Sequence, residues 1–453
     1  MRDSSGRDSF GRRTFASFGR PIAAAALAAA PAAMVVALCT VMAVPAVAKD
    51  APKVTNSAEF TKVAGPFQKS FNDVLAKKGK VPDADLKAAA DPLVPQLAAM
   101  EPNVKSPTDR LIYGDWQRQV GGWTGDSALT GKGLQNMIDS GQLQPNLVTT
   151  VSAMLGQMAY VAKDYATATK VLTPLMSDPK VDDAVPQMLA ESYASSGQPK
   201  QGLAALKTAI AARKAANAAV PEEWYSRGNR IAYGAKLPAE STEWALLLVA
   251  AYPTPINWLG AAQLVRNSAT NFTSQEELDV SRLMDQTGAL KLEPKYIERE
   301  YVAYLQAIDA RRFPGEAVRI AEQGIAVHAL KPEDTFVKDV MVQARPRVVA
   351  DKASLPGLAK EASASPSGKV AAAAGDTFLS YADPAKADEL YTLALSKGGV
   401  DAEKDRILTR LAIAQIDEGK YSDAKANLAK VGGTRVAIAQ LWSIYADQKT
   451  AGK

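Results

Sequence analysis

Two stretches, Leu155–Leu172 (LGQMAYVAKDYATATKVL) and Leu189–Leu206 (LAESYASSGQPKQGLAAL), decide how this chain reads. At an offset of 34 residues Gly156 falls on Ala190, Ala168 on Gly202 and Leu172 on Leu206, with Asp164-Tyr165 set against Gln198-Pro199. A small residue where two helices cross, an apolar residue beside it and a tight turn between them recur in register. Such a unit is a helical hairpin, which buries its apolar face only by stacking on a neighbour.

The same spacing continues outward. Trp224 and Trp258 are 34 residues apart, and a unit counted from Pro221 carries Trp224, Gly228 and Trp244, with Tyr252-Pro253 at its close. The unit from Pro255 keeps Trp258 and Ala262, but Ser274 replaces its second small residue and a loop-like stretch over 267–273 enlarges its turn. Tyr296–Val327 restores the pattern, with Phe313-Pro314-Gly315 as the turn and Ala317 at the small position. Pro332–Val349 reads as one more helix, interrupted by Pro346. Residues 353–369 (ASLPGLAKEASASPSGK) have the lowest complexity after the N-terminal segment and read as a linker. Beyond them Gly375, Ala387, Tyr391, Ala412, Gly419 and Ala424 suggest a last pair of units, whose 37-residue spacing Gly398-Gly399 would absorb. A final helix, Thr434–Ala446, is expected as a solvent-facing cap.

This pattern resembles the tetratricopeptide-repeat family over roughly residues 106–446, in six or seven units. The resemblance implies an all-α fold, an α-solenoid of stacked helix-turn-helix repeats. The organisation expected is a signal peptide (1–48), an N-terminal helical region (49–105), repeats (106–350), a linker (351–369), a C-terminal repeat pair with its capping helix (370–446) and a polar tail (447–453). The family's groove-facing positions map onto Gln157 and Tyr160, then Glu191, then Tyr225, Asn229 and Tyr233, then Gln263, Arg266 and Asn267. A mixed aromatic and amide surface suits a protein or peptide ligand, because aromatic anchors carry a disproportionate share of binding energy. It is not the family's carboxylate clamp, since Ala153 and Gln157 stand where Lys and Asn are expected.

Residues 1–48 set the expected compartment. A positive region, Arg2–Arg20, precedes the apolar run Pro21–Val44 and the small-x-small ending Ala46-Val47-Ala48. This is a bacterial-type export signal with cleavage expected after Ala48, giving a periplasmic protein. Gly11-Arg12-Arg13-Thr14-Phe15-Ala16 resembles a twin-arginine signal, although the Ala-rich core suits the general secretory route as well. An uncleaved anchor is the alternative, since the run is long enough to span a bilayer. No later run has the length or apolarity of a transmembrane helix.

Charge and composition exclude several functions. The formal charge is +5, but residues 1–48 hold five Arg and two Asp, so the remainder carries 48 basic and 46 acidic residues, a net of +2. That balance leaves no electrostatic footprint for nucleic acid. Cys39 is the only cysteine and His328 the only histidine, so neither a metal site nor a histidine-based acid–base centre is expected, and no cofactor. His328 follows Ala326-Val327 at a helix end and reads as structural or surface-exposed. Glu222-Glu223 and Glu276-Glu277 fall at helix starts, where acidic residues complement the helix dipole, rather than forming a glycosidase pair. Trp224, Trp244 and Trp258 occupy packing positions and are expected in the core. The reading is a non-catalytic interaction or assembly scaffold of the cell envelope, and its alternative is a peptidoglycan-associated factor.

Overall fold

The computed structural model describes residues 55–269 and 271–452, so the export signal and Cys39 lie outside the described residues. The residues from Ser57 onward form one compact unit, all-α, with 22 α-helices and no strand among the described residues. Three helices open the chain, α1 (Ala58–Leu75), α2 (Asp83–Ala90) and α3 (Leu93–Met100). Hairpins follow: α4 (Pro107–Thr124) with α5 (Ser127–Asp139), α6 (Pro145–Val161) with α7 (Tyr165–Leu172), α8 (Ala184–Ser195) with α9 (Pro199–Ala215), and α10 (Glu222–Gly234) with α11 (Pro238–Ala251). Next come α12 (Pro255–Ser268), α13 (Ser274–Gln286), α14 (Pro294–Ala307), α15 (Pro314–Ala326), α16 (Thr335–Ala344) and α17 (Val348–Ala364). The chain ends with α18 (Gly368–Ser380) paired to α19 (Pro384–Lys397), α20 (Lys404–Asp417) paired to α21 (Tyr421–Leu428), and α22 (Val436–Thr450).

The ends of these helices follow from the sequence. Eight of them begin with proline, at Pro107, Pro145, Pro199, Pro238, Pro255, Pro294, Pro314 and Pro384. Proline fits there because its missing N–H is one the helix cannot use anyway. Five hairpins share one turn. Lys163, Gly197, Lys236, Ala382 and Gly419 all adopt positive φ, between +55° and +79°. In each, the next residue donates its N–H to the carbonyl five residues back: Asp164 to Ala159, Gln198 to Tyr193, Leu237 to Ala232, Asp383 to Phe378 and Lys420 to Gln415, at 2.8–3.0 Å. This closure satisfies carbonyls left free at the helix C-terminus. His328 caps α15 at φ +59° and is exposed, the surface role expected of it.

Small residues sit where the hairpin helices touch. A Cβ on Gly156 would lie 2.1 Å from Leu172 Cδ2, and one on Gly228 would lie 2.2 Å from Trp244 Cε3. Trp224, Trp244 and Trp258 are buried, as expected of packing positions. The expected solenoid of tetratricopeptide-like hairpins is the fold observed.

Several boundaries differ from the sequence reading. Residues 351–369 are not an unstructured linker: α17 takes them as far as Ala364, with Pro356 inside the helix, and α18 begins at Gly368. The low complexity of α17 is that of an alanine-rich helix, and Lys397 Nζ caps its end by donating to the carbonyls of Ala362 and Ser363, both at 2.8 Å. The apolar core from Ala245 to Ala446 runs without a break across the expected boundary near 350, through Ala344, Ala362 and Ala371. Residue 105 is not a boundary either. Tyr113, Trp116 and Val120 of α4 share a core with Phe60, Phe67 and Phe71 of α1. The Asp109 carboxylate also accepts the Ser57 N–H at 3.0 Å and the Ser57 hydroxyl at 2.7 Å, tying the starts of α1 and α4 together.

The largest correction concerns α22. Instead of facing solvent as a cap, it packs against α11, α12 and α13. Leu441, Trp442 and Ala446 are fully buried. Tyr445 meets the Trp258 ring edge-on at 6.1 Å, and Gln448 donates to the Val249 carbonyl at 2.9 Å. The C-terminal repeats are thereby stapled to the middle of the array.

A buried ionic cluster lies at that junction. Asp279 of α13 accepts from Arg410 Nε at 2.8 Å and from Arg435 Nη1 at 2.7 Å. Arg410, fully buried, also donates to Asp376 Oδ1 at 2.8 Å, and Asp376 takes Arg406 at 2.6 Å and Arg312 at 3.0 Å as well. Arg282 forks onto Glu316 at 2.9 and 2.7 Å, and Tyr304 donates to the same carboxylate at 2.9 Å. Burial alone would raise the Asp279 and Asp376 carboxyls, but the guanidiniums outweigh it and hold both below the usual carboxylate range.

Candidate protein-binding face

The first helices of successive hairpins, α6, α8 and α10, lie side by side. Their shared face carries most of the sequence-derived candidates. Tyr160 of α6 is half-buried, and burial followed by the nearby Glu191 carboxylate raises its hydroxyl pKa. Glu191 of α8 pairs with Arg227 of α10 at 2.9 Å, with both side chains about one-third exposed. The structure therefore joins Tyr160, Glu191 and Arg227 into one polar row across three helices.

On α10 the candidates separate by depth. Tyr225 is buried, packing edge-on against Tyr252 at 6.1 Å with Lys214 over its ring, so it belongs to the core and not to the groove. It precedes Asn229 by one helical turn, and the turn that carries it faces the neighbouring hairpin. Asn229 is half-buried, and its Oδ1 is buried with no hydrogen-bond partner. Tyr233, one turn further, is 51% exposed. Arg230 is exposed and forms no ion pair among the described residues. Desolvation, and after it the charge of Arg227, lowers the pKa of its guanidinium. Gln157 lies half-buried on α6 beside this row.

The α12 candidates serve the fold instead. Gln263 donates to Glu300 at 2.8 Å, and Arg266 bridges Glu277 at 2.6 Å and Glu300 at 2.8 Å. Their polar capacity is mostly committed to α13 and α14, although Asn267 stays exposed. Arg227 and Arg230 were not singled out from sequence. Their signal was present, since both fall on the same helix as Asn229 and Tyr233, but arginine on a repeat helix reads as ordinary solvated surface.

The carboxylate pairs sit where expected, in the first turns of α10 and α13. Among the described residues no group of three or more His, Cys, Asp or Glu side chains is placed to hold a metal ion. Nor is any described helix long and apolar enough to cross a membrane.

No protein-family model matches this chain, and no curated protein matches it. Solved structures do. The TPR2AB domain of yeast Sti1 in complex with pHSP90 is 12% identical, with a TM-score of 0.23 over 68% of this chain and 97% of that one. The APC/C hetero-tetramer Cut9–Hcn1 is 13% identical, with a TM-score of 0.24 over 86% of this chain and 72% of that one. Naa15/Naa10 bound to HypK-THB is 12% identical, with a TM-score of 0.23 over 87% and 72%.

Proposed function

We propose that this protein is a non-catalytic binding scaffold that holds a segment of a partner protein against the face formed by α6, α8 and α10. The observation that carries this reading is the combination of Tyr233, 51% exposed, with the exposed Arg230 one turn behind it, which makes no ion pair among the described residues. An exposed aromatic beside a free guanidinium offers both an apolar anchor and a charge-assisted hydrogen bond. The segment that suits it carries an acidic side chain for Arg230 and an apolar or amide side chain for Tyr233 and Asn229. With the N-terminal signal, we place this activity in the periplasm, within an assembly of the cell envelope.

The test compares partners captured from envelope extract by the wild type and by Arg230→Ala/Tyr233→Ala, followed by direct titration of the recovered partner. Both positions are exposed, so circular dichroism should be unchanged. The expected result is loss of that partner from the variant and at least about a tenfold weaker Kd, as follows from removing one aromatic anchor and one charge-assisted bond. Equal recovery and equal affinity refute the assignment of this face.

A further inference from the structure

Residues 335–364 form one nearly continuous helical rod. α16 runs through a single 3₁₀ turn, Arg345–Arg347, into α17, and Ala344, Arg345, Arg347 and Val348 all keep right-handed helical φ and ψ. Val337, Val340 and Ala344 bury the inner side of α16, but α17 buries only Ala362 of its 17 residues. The other helices of 17 or 18 residues, α1, α4, α6 and α9, bury five to eight. α17 also holds Pro356 and Gly357, the two residue types least favourable in a helix interior. A helix in a protein owes most of its stability to an apolar face packed on a neighbour. α17 is short of that cover. Its Leu355, Leu358 and Ala359 are only partly buried, and the Tyr381 hydroxyl ties it inward by donating to Asp351 at 2.7 Å.

The outward side carries a regular pattern. Val342 and Val349 are 72% and 80% exposed, more than any other large apolar side chain among the described residues. They are seven residues apart and, with the 3₁₀ turn between them, lie within about 40° of each other around the rod. Lys338, Arg345 and Lys352 are exposed and repeat at the same spacing, and Lys360 follows on the same side. Asp339 is the one carboxylate there. Lys338 makes no ion pair among the described residues, and Arg345 meets Glu322 at 2.6 Å with both side chains more than half exposed. A narrow apolar seam with a seven-residue repeat and charges along its edge is the surface on which a second helix packs. A lipid surface asks for a broader apolar face with larger side chains.

We propose that the outer side of α16 and α17 docks an acidic amphipathic helix of a partner protein. Its apolar side chains recur every seven residues against Val342 and Val349, and its carboxylates meet Lys338 and Arg345. The face shares no residue with α6, α8 or α10, so either docking proposal can fail alone.

A photo-crosslinking amino acid placed at position 349 of the full chain, in the cells that make it, tests this. The expected adduct, sequenced by mass spectrometry, is a segment of another protein with net negative charge and apolar residues at seven-residue spacing. A synthetic peptide of that segment is then titrated by fluorescence anisotropy against the wild type, Val342→Glu/Val349→Glu and Lys338→Glu. The altered positions are exposed, so circular dichroism should be unchanged. The valine variant should bind at least about tenfold more weakly. Salt should weaken the wild type more steeply than Lys338→Glu. No adduct, an adduct on a basic or uncharged segment or on a second copy of this chain, or a peptide that both variants bind as tightly as the wild type overturns the proposal. So does binding to phosphatidylglycerol vesicles that the valine variant loses, which would make a membrane the occupant.

Discussion

Replacing Asp279 by alanine should release the C-terminal helices from the middle of the array. The carboxylate joins α13 to Arg410 and Arg435, which lie 131 and 156 residues further along the chain, at 2.8 and 2.7 Å. Removing it leaves Arg435 with only Glu276 at 3.6 Å and leaves Arg410 with Asp376 and Gln275. Breaking a buried ion pair from one side costs about 3–5 kcal/mol, because the remaining charge stays buried without its partner. That is a large part of the roughly 5–15 kcal/mol that a folded protein has in hand. A second variant separates stranded charge from lost packing. Arg410→Met alone should also destabilise, since it uncovers Asp279 and Asp376 together, but Asp279→Ala with Arg410→Met should cost clearly less than the two summed.

The assay must resolve regions, because in stacked repeats each unit contacts mainly its neighbours and a single unfolding energy is poorly defined. Hydrogen exchange read by mass spectrometry does so. Peptides from α13, α20 and α22 should lose protection in Asp279→Ala, while those from α6 to α9 should not. Unchanged exchange in α22, or a double variant whose effect equals the sum of the singles within about 0.5 kcal/mol, would refute the reasoning.

Three further outcomes follow from the geometry. Asp279 and Asp376 titrate below the ordinary range when folded, so their stabilisation is complete above the unfolded value of about 3.9 and disappears as pH falls through the lower folded value; urea midpoints measured downward from pH 7 should drop most steeply below about pH 4, and less steeply in Asp376→Asn. Gly228→Ala should destabilise by about 1–3 kcal/mol because the new methyl would sit within the Trp244 ring's contact radius, whereas Gly260→Ala, with nothing within 4 Å, should be neutral or stabilising by up to about 1 kcal/mol; thermal melts of the two compare them directly. Ala382→Gly should stabilise by about 0.5–1 kcal/mol, because Ala382 holds φ +58° at a strain that glycine lacks, partly offset by glycine's freedom in the unfolded chain; a lower denaturation midpoint would contradict this.

The candidate face was partly legible from sequence. Tyr160, Glu191, Asn229 and Tyr233 could be placed on it because hairpin register fixes which side of a first helix faces the next. Tyr225 was misplaced because register gives direction but not depth, and one turn along α10 separates a buried tyrosine from one 51% exposed. Gln263 and Arg266 were misjudged for a related reason. Their partners Glu277 and Glu300 lie on the following helices, and residue type alone does not distinguish a side chain paired within the fold from one free to bind.

The sequence by itself determined the hairpins. Proline at helix starts, glycine and alanine at crossings and the positive-φ turns are local requirements, written within about one repeat of the residues that satisfy them. Only the tertiary structure decided that α22 returns to α11–α13 and that residues 351–369 continue the helical core. Those outcomes depend on pairs such as Asp279 with Arg410, separated by 131 residues and formed by charged side chains that a pattern of apolar periodicity assigns to solvent. A repeat rule specifies how each unit meets the next. It carries no information about where a distant unit, matched in charge and shape, will meet the array again.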